Sequence, residues 1–210
     1  MNINQLKVLL KKFDLKVTYN EDLKKKNWFN IGGKSKIFFK AEYLKDLVNF
    51  LKKLKNKEKI FILGAGSNTL ISDGLINGVV IKLSKNFNNI SLHGEDMIIA
   101  GSAVLDKSLS DFAMKNNISG LEFLSCIPGT VGGGIKMNAG CFGKEFKDIL
   151  CSVQVIDKLG NVRTIPSSNI KFEYRKNNLP EDLIFLSASF KGTKSDSLKI
   201  QSEMNRLKNK

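Results

Sequence analysis

The sequence predicts an α+β fold. Residues 36–63 read as strand, helix and strand. Beyond them, short β-branched runs separated by turn residues dominate. Helical patterning interrupts those runs only twice before the final stretch, so strands and helices do not alternate regularly.

Each element has its own reason. Residues 3–13 place Leu6, Leu9, Leu10 and Phe13 at helical spacing and predict a short amphipathic helix. SKIFFKA is a strand. YLKDLVNFLKKLK follows as a helix, with Leu44, Leu47, Val48, Leu51 and Leu54 on one face. EKIFILG completes a βαβ-like unit. GVVIKL, NISLHG, DMIIAGSA, CSVQVID and NVRTIP predict further strands, and DKLGN between the last two is a hairpin turn. KSLSDFAMKNN and GLEFLS are the helical pieces, and LIFLSASF is the last strand. SDSLKIQSEMNRLKNK closes as a helix with Ile200, Met204 and Leu207 on one face and Leu198 off it. The expected division is a βαβ-containing unit at 1–57, an α+β domain at 58–194 and a terminal helix at 195–210.

Composition excludes several classes of function. The 210 residues carry a net charge of +14, yet only Arg163, Arg175 and Arg206 among 34 basic residues are arginines. The lysines are scattered among asparagines, without the planar forks that read phosphate in pairs, so no nucleic-acid partner is expected. Compositional drift explains the excess, although an anionic small ligand profits from such a field. No apolar run is long enough for a membrane span, and the N-terminus lacks a secretory pattern. Cys126, Cys141 and Cys151 are an odd number without zinc spacing, and His93 is the single histidine, so neither a metal site nor a Cys–His pair is expected. Reduced cysteines point to the cytoplasm.

Three stretches carry chemistry. Gly64, Ala65, Gly66, Ser67 and Asn68 follow a strand end, where glycines admit backbone N–H groups to an anion and Ser and Asn add donors. Thr69 excludes a dinucleotide fingerprint, and GGKS at 32–35 fails as a phosphate loop because Trp28 stands where its first glycine belongs. A plain tight turn remains the alternative. IPGTVGGGIKMNAGCFG, residues 127–143, has six glycines interleaved with Ile127, Val131, Ile135, Met137 and Phe142, unlike a linker. Packing of a helix on a sheet accounts for about two of those glycines, and two such loops suit a long ligand with a central pyrophosphate. In FEYRKNN, Arg175 either grips a carboxylate in two hydrogen bonds or pairs with Glu173, Glu181 or Asp182.

FNIGGKSKIFFKA, FILGAGSNTLISD, GLEFLSCIPGTVGGGIKMNAGCFG, VQVIDKLGNVRTI and FEYRKN, in this order, resemble the UDP-N-acetylenolpyruvoylglucosamine reductase family over about residues 25–190. The resemblance implies an FAD-binding domain of the PCMH/vanillyl-alcohol-oxidase type with a small N-terminal βαβ subdomain. It implies that Gly64, Ala65, Gly66, Ser67, Asn68, Ile127, Pro128, Gly129, Thr130, Gly132, Gly133, Asn138, Ala139 and Gly140 line FAD. It implies NADPH as hydride donor and a UDP-sugar enolpyruvate as substrate in peptidoglycan precursor synthesis. Tyr174 and Arg175 would bind the substrate, with Arg175 polarising its carboxylate. Two residues depart from the family pattern: Trp28 replaces a threonine, and Asn177 replaces a serine that often follows the Tyr-Arg pair. The family also continues into a third domain carrying the proton donor and a glutamate, so turnover is expected to need that domain, from a separate chain if not from this one. The competing readings are a flavin-binding protein without reductase activity and a flavin oxidase or dehydrogenase of the same fold.

Overall fold

The computed structural model describes residues 15–54 and 58–210. The helix expected over 3–13 lies outside them. β1 (Val17–Asp22) pairs antiparallel with β2 (Lys34–Ala41), and α1 (Leu44–Leu54) follows. β1 is not evident in the sequence because only Val17 and Tyr19 alternate as apolar residues. Its pairing with β2 creates the strand, and both side chains pack on the core beneath.

β3 (Ile60–Ile62) does not pair with β2. β4 (Leu75–Leu83) enters between them, parallel to both, giving the order β1-β2-β4-β3. The expected strand–helix–strand order is present, but its strands are held apart by one the sequence places later. The sheet runs on to Leu83. β2 and β4 are covered on both faces, as central parallel strands are. Ile37, Phe39 and Val79 pack with Leu47, Phe50 and Leu54 of α1, and the Phe39 and Phe50 rings stack at 4.1 Å. Phe38 and Val80 pack with Leu23, Leu63 and Ile71.

β5 (Ile90–His93) and β6 (Met97–Gly101) begin a second, antiparallel sheet. α2 (Asp106–Lys115) and β7 (Ile118–Ser119) follow, and GLEFLS forms a 3-10 helix, Glu122–Cys126, that buries Phe123 and Leu124. The glycine-dense stretch expected as a loop contains a helix, α3 (Val131–Lys136), with three glycines in six residues. Val131 and Ile135, one turn apart, are buried in the main core. An added Cβ on Gly134 would stand 2.2 Å from the Phe146 ring, and one on Gly132 would stand 2.9 Å from Ser102 Cβ. Glycine in a helix costs about 0.5–1 kcal/mol. Here that cost admits the close contact that buries Phe146.

β8 (Gly140–Cys141) and β9 (Lys144–Glu145) form a hairpin, and β10 (Leu150–Ile156) and β11 (Val162–Pro166) form the hairpin expected from DKLGN. Asp157 Oδ1 accepts from the Leu159 and Asn161 N–H groups at that turn, and Gly160 takes φ +86°. β12 (Phe172–Glu173) and β13 (Lys176–Asn177) make a two-residue hairpin. β14 (Ile184–Lys191) fills the middle of the second sheet, whose order is β11-β10-β14-β6-β5. β15 (Thr193–Lys194) pairs with β7, and α4 (Ser197–Lys208) closes the chain, its first turn capped by Asp196. Ile156, Ile184 and Leu186 pack against α1 and its sheet, whereas Val153, Val155, Ala188 and Phe190 face α2 and α3. The second sheet therefore joins both halves of the molecule. Among the described residues no helix is long and apolar enough to cross a membrane.

Candidate functional site

The two glycine stretches, over sixty residues apart in sequence, meet. A Cβ added to Gly64 would stand 2.7 Å from Thr130 Oγ1, so any side chain at 64 would push the loops apart. The first loop is anchored by its own glycine. Gly66 takes φ +72°, its carbonyl accepts the Trp28 N–H at 3.0 Å, and an added Cβ would lie 2.5 Å from the Lys26 carbonyl. Ser67 is half-buried and Asn68 exposed, leaving both donors accessible beside the junction. TLISDG opens no helix, in keeping with the absence of a dinucleotide fingerprint.

The second loop is held from behind by residues 102–106. Gly132 N–H donates to the Ser102 carbonyl, Val131 N–H to the Val104 carbonyl and Asp106 N–H to the Gly129 carbonyl, at 2.9, 2.9 and 3.2 Å. Leu105 and Thr130 form an isolated antiparallel bridge. Ile127 is half-buried against the core, and Pro128 is exposed. Close packing accounts for more of the glycines than the sequence suggests: Gly129 abuts Asp106, Gly132 abuts Ser102, Gly134 abuts Phe146, and Gly140 abuts the Lys144 carbonyl. Gly143 takes φ +79°. Gly133 is the exception. It is exposed, and an added Cβ would meet nothing nearer than Thr130 Oγ1 at 3.5 Å.

Asp106 is fully buried beneath this loop, and neither carboxylate oxygen has a hydrogen-bond partner. Burial pushes its carboxyl up to about 8. The native state therefore holds a proton that the unfolded state releases near pH 4, so between about pH 4 and 8 stability falls as pH rises. Asp106→Asn removes that titration. The amide is equally short of partners, so the diagnostic is the slope. The melting temperature of Asp106→Asn relative to the parent should rise steadily from pH 5 to pH 8; a constant difference would show that Asp106 is not protonated in the fold. Nothing in the sequence marks this residue, since an Asp opening a helix is ordinary.

Next to the loop lies a cleft of about 390 Å³ lined by Gly140, Cys141, Gly143, Lys144, Glu145, Lys147, Asp148, Tyr174 and Arg175. Tyr174 and Arg175 form the two-residue turn of the β12–β13 hairpin, both exposed, and Arg175 has φ +59°. That region costs a long side chain free energy and at the third position of a turn normally calls for Gly or Asn. Of the ion-pair partners considered from the sequence, Glu173 is held by Lys176 at 2.8 Å and Asp182 lies 3.7 Å from Lys158. The guanidinium instead sits 5.4 Å from the Tyr174 ring centroid, at the cleft. Lys147, and then the Asn138 amide and the Arg175 charge, hold the Glu145 carboxyl below the usual range. Burial pushes the Cys141 thiol up to about 11, and it donates to the Phe123 carbonyl, so it is a protonated structural thiol at neutral pH.

Asn138 is almost fully buried, with all its side-chain polar atoms bonded inside the protein. Ala139 and Gly140 are half-buried beside it. The structure thus brings together the two glycine loops, residues 138–140 and the Tyr174–Arg175 turn. Ser102, Asp106, Glu145 and Phe146 support them, and sequence reasoning did not single these four out. Glu145 and Phe146 are ordinary in sequence and acquire their partners only through tertiary folding.

Comparison with known proteins identifies the family and the fold. Residues 35–166 match the FAD binding domain family. The chain is 61% identical over 210 residues to the UDP-N-acetylenolpyruvoylglucosamine reductase of Pelagibacter ubique (strain HTCC1062), covering 100% of this chain and 70% of that protein. It is 49% identical over 195 residues to the enzyme of the same name from Rickettsia bellii (strain RML369-C), covering 92% and 65%. It therefore spans about two thirds of the length of the curated relatives it matches. Among solved structures, the UDP-N-acetylenolpyruvylglucosamine reductase of Thermus caldophilus superposes with a TM-score of 0.80 at 28% identity, covering 93% of this chain and 68% of that one. An Acremonium strictum glucooligosaccharide oxidase superposes at 0.63 with 10% identity over 92% and 43%, and shares the fold alone. The α+β FAD-binding fold expected from the sequence is the fold present, and the chain belongs to the UDP-N-acetylenolpyruvoylglucosamine reductase family.

Proposed function

We propose that the chain binds FAD between its two glycine loops and uses it, with NADPH as hydride donor, to reduce the enolpyruvyl double bond of UDP-N-acetylglucosamine enolpyruvate, yielding UDP-N-acetylmuramate for peptidoglycan. The observation that carries this reading is Arg175: a strained, exposed arginine at a cleft that is also lined by Gly140, Cys141 and Gly143 of the second glycine-dense stretch. The loops fit the cofactor. Gly64 and Thr130 are in close apposition, Gly133 leaves open space, and Ser67 and Asn68 keep accessible donors. Gly64, Ala65, Gly66, Ser67 and Asn68 would hold the pyrophosphate. Ile127, Pro128, Gly129, Thr130, Gly132 and Gly133, with Asn138, Ala139 and Gly140 behind them, would form the facing wall. FAD, when bound and reduced by NADPH, would supply the hydride.

Arg175 holds the substrate carboxylate in two parallel hydrogen bonds and stabilises the negative charge that gathers there as the alkene carbon is reduced. Tyr174 flanks it. Lys144 and Arg175 at the cleft add positive charge for a diphosphate-bearing substrate. The Cys141 thiol is engaged with the Phe123 carbonyl, so it is read as structural and not as the proton donor. The donor would come from the further third of the relatives' length, in the same polypeptide or a separate chain. Three free cysteines suit a reducing compartment, the cytoplasm.

Absorption spectroscopy tests the reading. The purified chain should show a flavin spectrum that bleaches on anaerobic addition of NADPH and recovers when the enolpyruvyl substrate is added, with any separate domain present. A flavin that stays oxidised under NADPH would overturn the reductase assignment and leave a flavin-binding protein.

A further inference from the structure

We propose that Asn177 and Asn138 are positioning residues that lock the Arg175 turn onto helix α3, so that the direction of the carboxylate-binding guanidinium is set by the element carrying the exposed Gly133. The proposal rests on the reading of Arg175 given above. The tether has two points. Asn177 Nδ2 donates to the Ile135 carbonyl at 3.1 Å and the Lys136 carbonyl at 3.0 Å, in the last turn of α3, where the Ile135 carbonyl also accepts the Asn138 N–H at 3.2 Å. Its Oδ1 accepts from the Leu179 N–H at 3.0 Å, so both ends of the amide are engaged. From the other side Asn138, just beyond α3, donates from Nδ2 to the Glu173 carbonyl at 3.2 Å and to Glu145 Oε2 at 3.1 Å, and accepts from the Lys147 N–H at 3.1 Å. The residues two before and two after Arg175 are thus both bonded to residues 135–138.

The hairpin cannot hold this geometry unaided. Its strands are two residues each, pairing only Phe172 with Asn177 and Glu173 with Lys176, and so short a ladder is marginal in water. The Glu173–Lys176 ion pair is exposed and contributes little. Arg175 at φ +59° needs surroundings that over-determine it. The two amides provide that, and asparagine is suited to it: one NH₂ group satisfies two carbonyls, whereas a hydroxyl has a single donor. Asn138 itself sits at φ +41°, a region that asparagine tolerates.

The test compares Asn177→Ala and Asn177→Ser with the parent in FAD-loaded protein, with any separate domain present. Two readouts are followed: the rate of tryptic cleavage after Arg175, by mass spectrometry, and the Kd for UDP-N-acetylglucosamine enolpyruvate, from the flavin difference spectrum without NADPH. Loss of the three side-chain hydrogen bonds of Asn177, two of them to α3, should speed cleavage and weaken the Kd, each by about tenfold in Asn177→Ala, with FAD affinity changed less than about twofold. Asn177→Ser should fall between, and it carries the comparison if Asn177→Ala does not fold. Unchanged cleavage and Kd would overturn the proposal. Faster cleavage with an unchanged Kd would also overturn it, because the tether would then be structural only. If the parent gives no difference spectrum with the substrate, the functional reading fails instead, and cleavage alone decides whether the tether exists.

Discussion

Arg175→Ala should keep FAD bound and lose substrate reduction, with kcat/KM down by about a hundred- to a thousand-fold, the usual consequence of removing a charge-stabilising donor. The folded state does not depend on the guanidinium. It is exposed and lies over the neighbouring Tyr174 ring, and Glu173 and Asp182 are paired with lysines. Loss of activity therefore cannot be attributed to unfolding. A second variant sharpens the point. Arg175→Gly relieves the left-handed backbone at φ +59° and should stabilise the protein by about 1 kcal/mol while abolishing turnover. A residue that is worse for the fold and required for the reaction is what a functional site stores. Turnover within threefold of the parent in both variants, assayed with any separate domain present, would remove Arg175 from the mechanism.

What the sequence conveyed and what it withheld divide along physical lines. Local patterns were legible: the helix at 44–54, the Asp157–Asn161 hairpin and the Ile200–Met204–Leu207 face all arise from spacing within a dozen residues, whereas the Tyr174–Arg175 pair stood out only through the family resemblance. The insertion of β4 between β2 and β3 was not legible, because strand order is decided by which edges remain open after folding. Nor was α3. Three glycines in six residues argue against a helix locally. Burial of Val131 and Ile135 and the contact of Gly134 with Phe146 override that preference. The glycines that looked like a single signal for a ligand are a mixture, most of them required by packing or backbone angle. The role of Asn177 was invisible for the same reason, since its partners Ile135 and Lys136 lie some forty residues earlier.

That mixture turns one glycine substitution into three different experiments. Gly132→Val should damage the fold whether or not FAD is present, because its Cβ would stand 2.9 Å from Ser102 Cβ, behind the loop. Gly133→Ala adds a methyl group on an exposed helical position, where it would make only an ordinary contact with Thr130 Oγ1 at 3.5 Å. In the apo protein it should be stabilising, by about 0.5–1 kcal/mol, since alanine favours the helix over glycine. In the same variant FAD should bind more weakly if the cofactor lies against this face. Gly133→Val extends the obstruction and should lose FAD by about a hundredfold or more in Kd, comparable to filling a site with a branched side chain, while the apo protein melts near the parent. The opposite signs are the argument: a glycine kept for folding cannot improve stability when replaced, and a glycine kept for a ligand cannot keep its affinity. Full FAD retention by Gly133→Val would mean that the cofactor does not approach α3 at this residue.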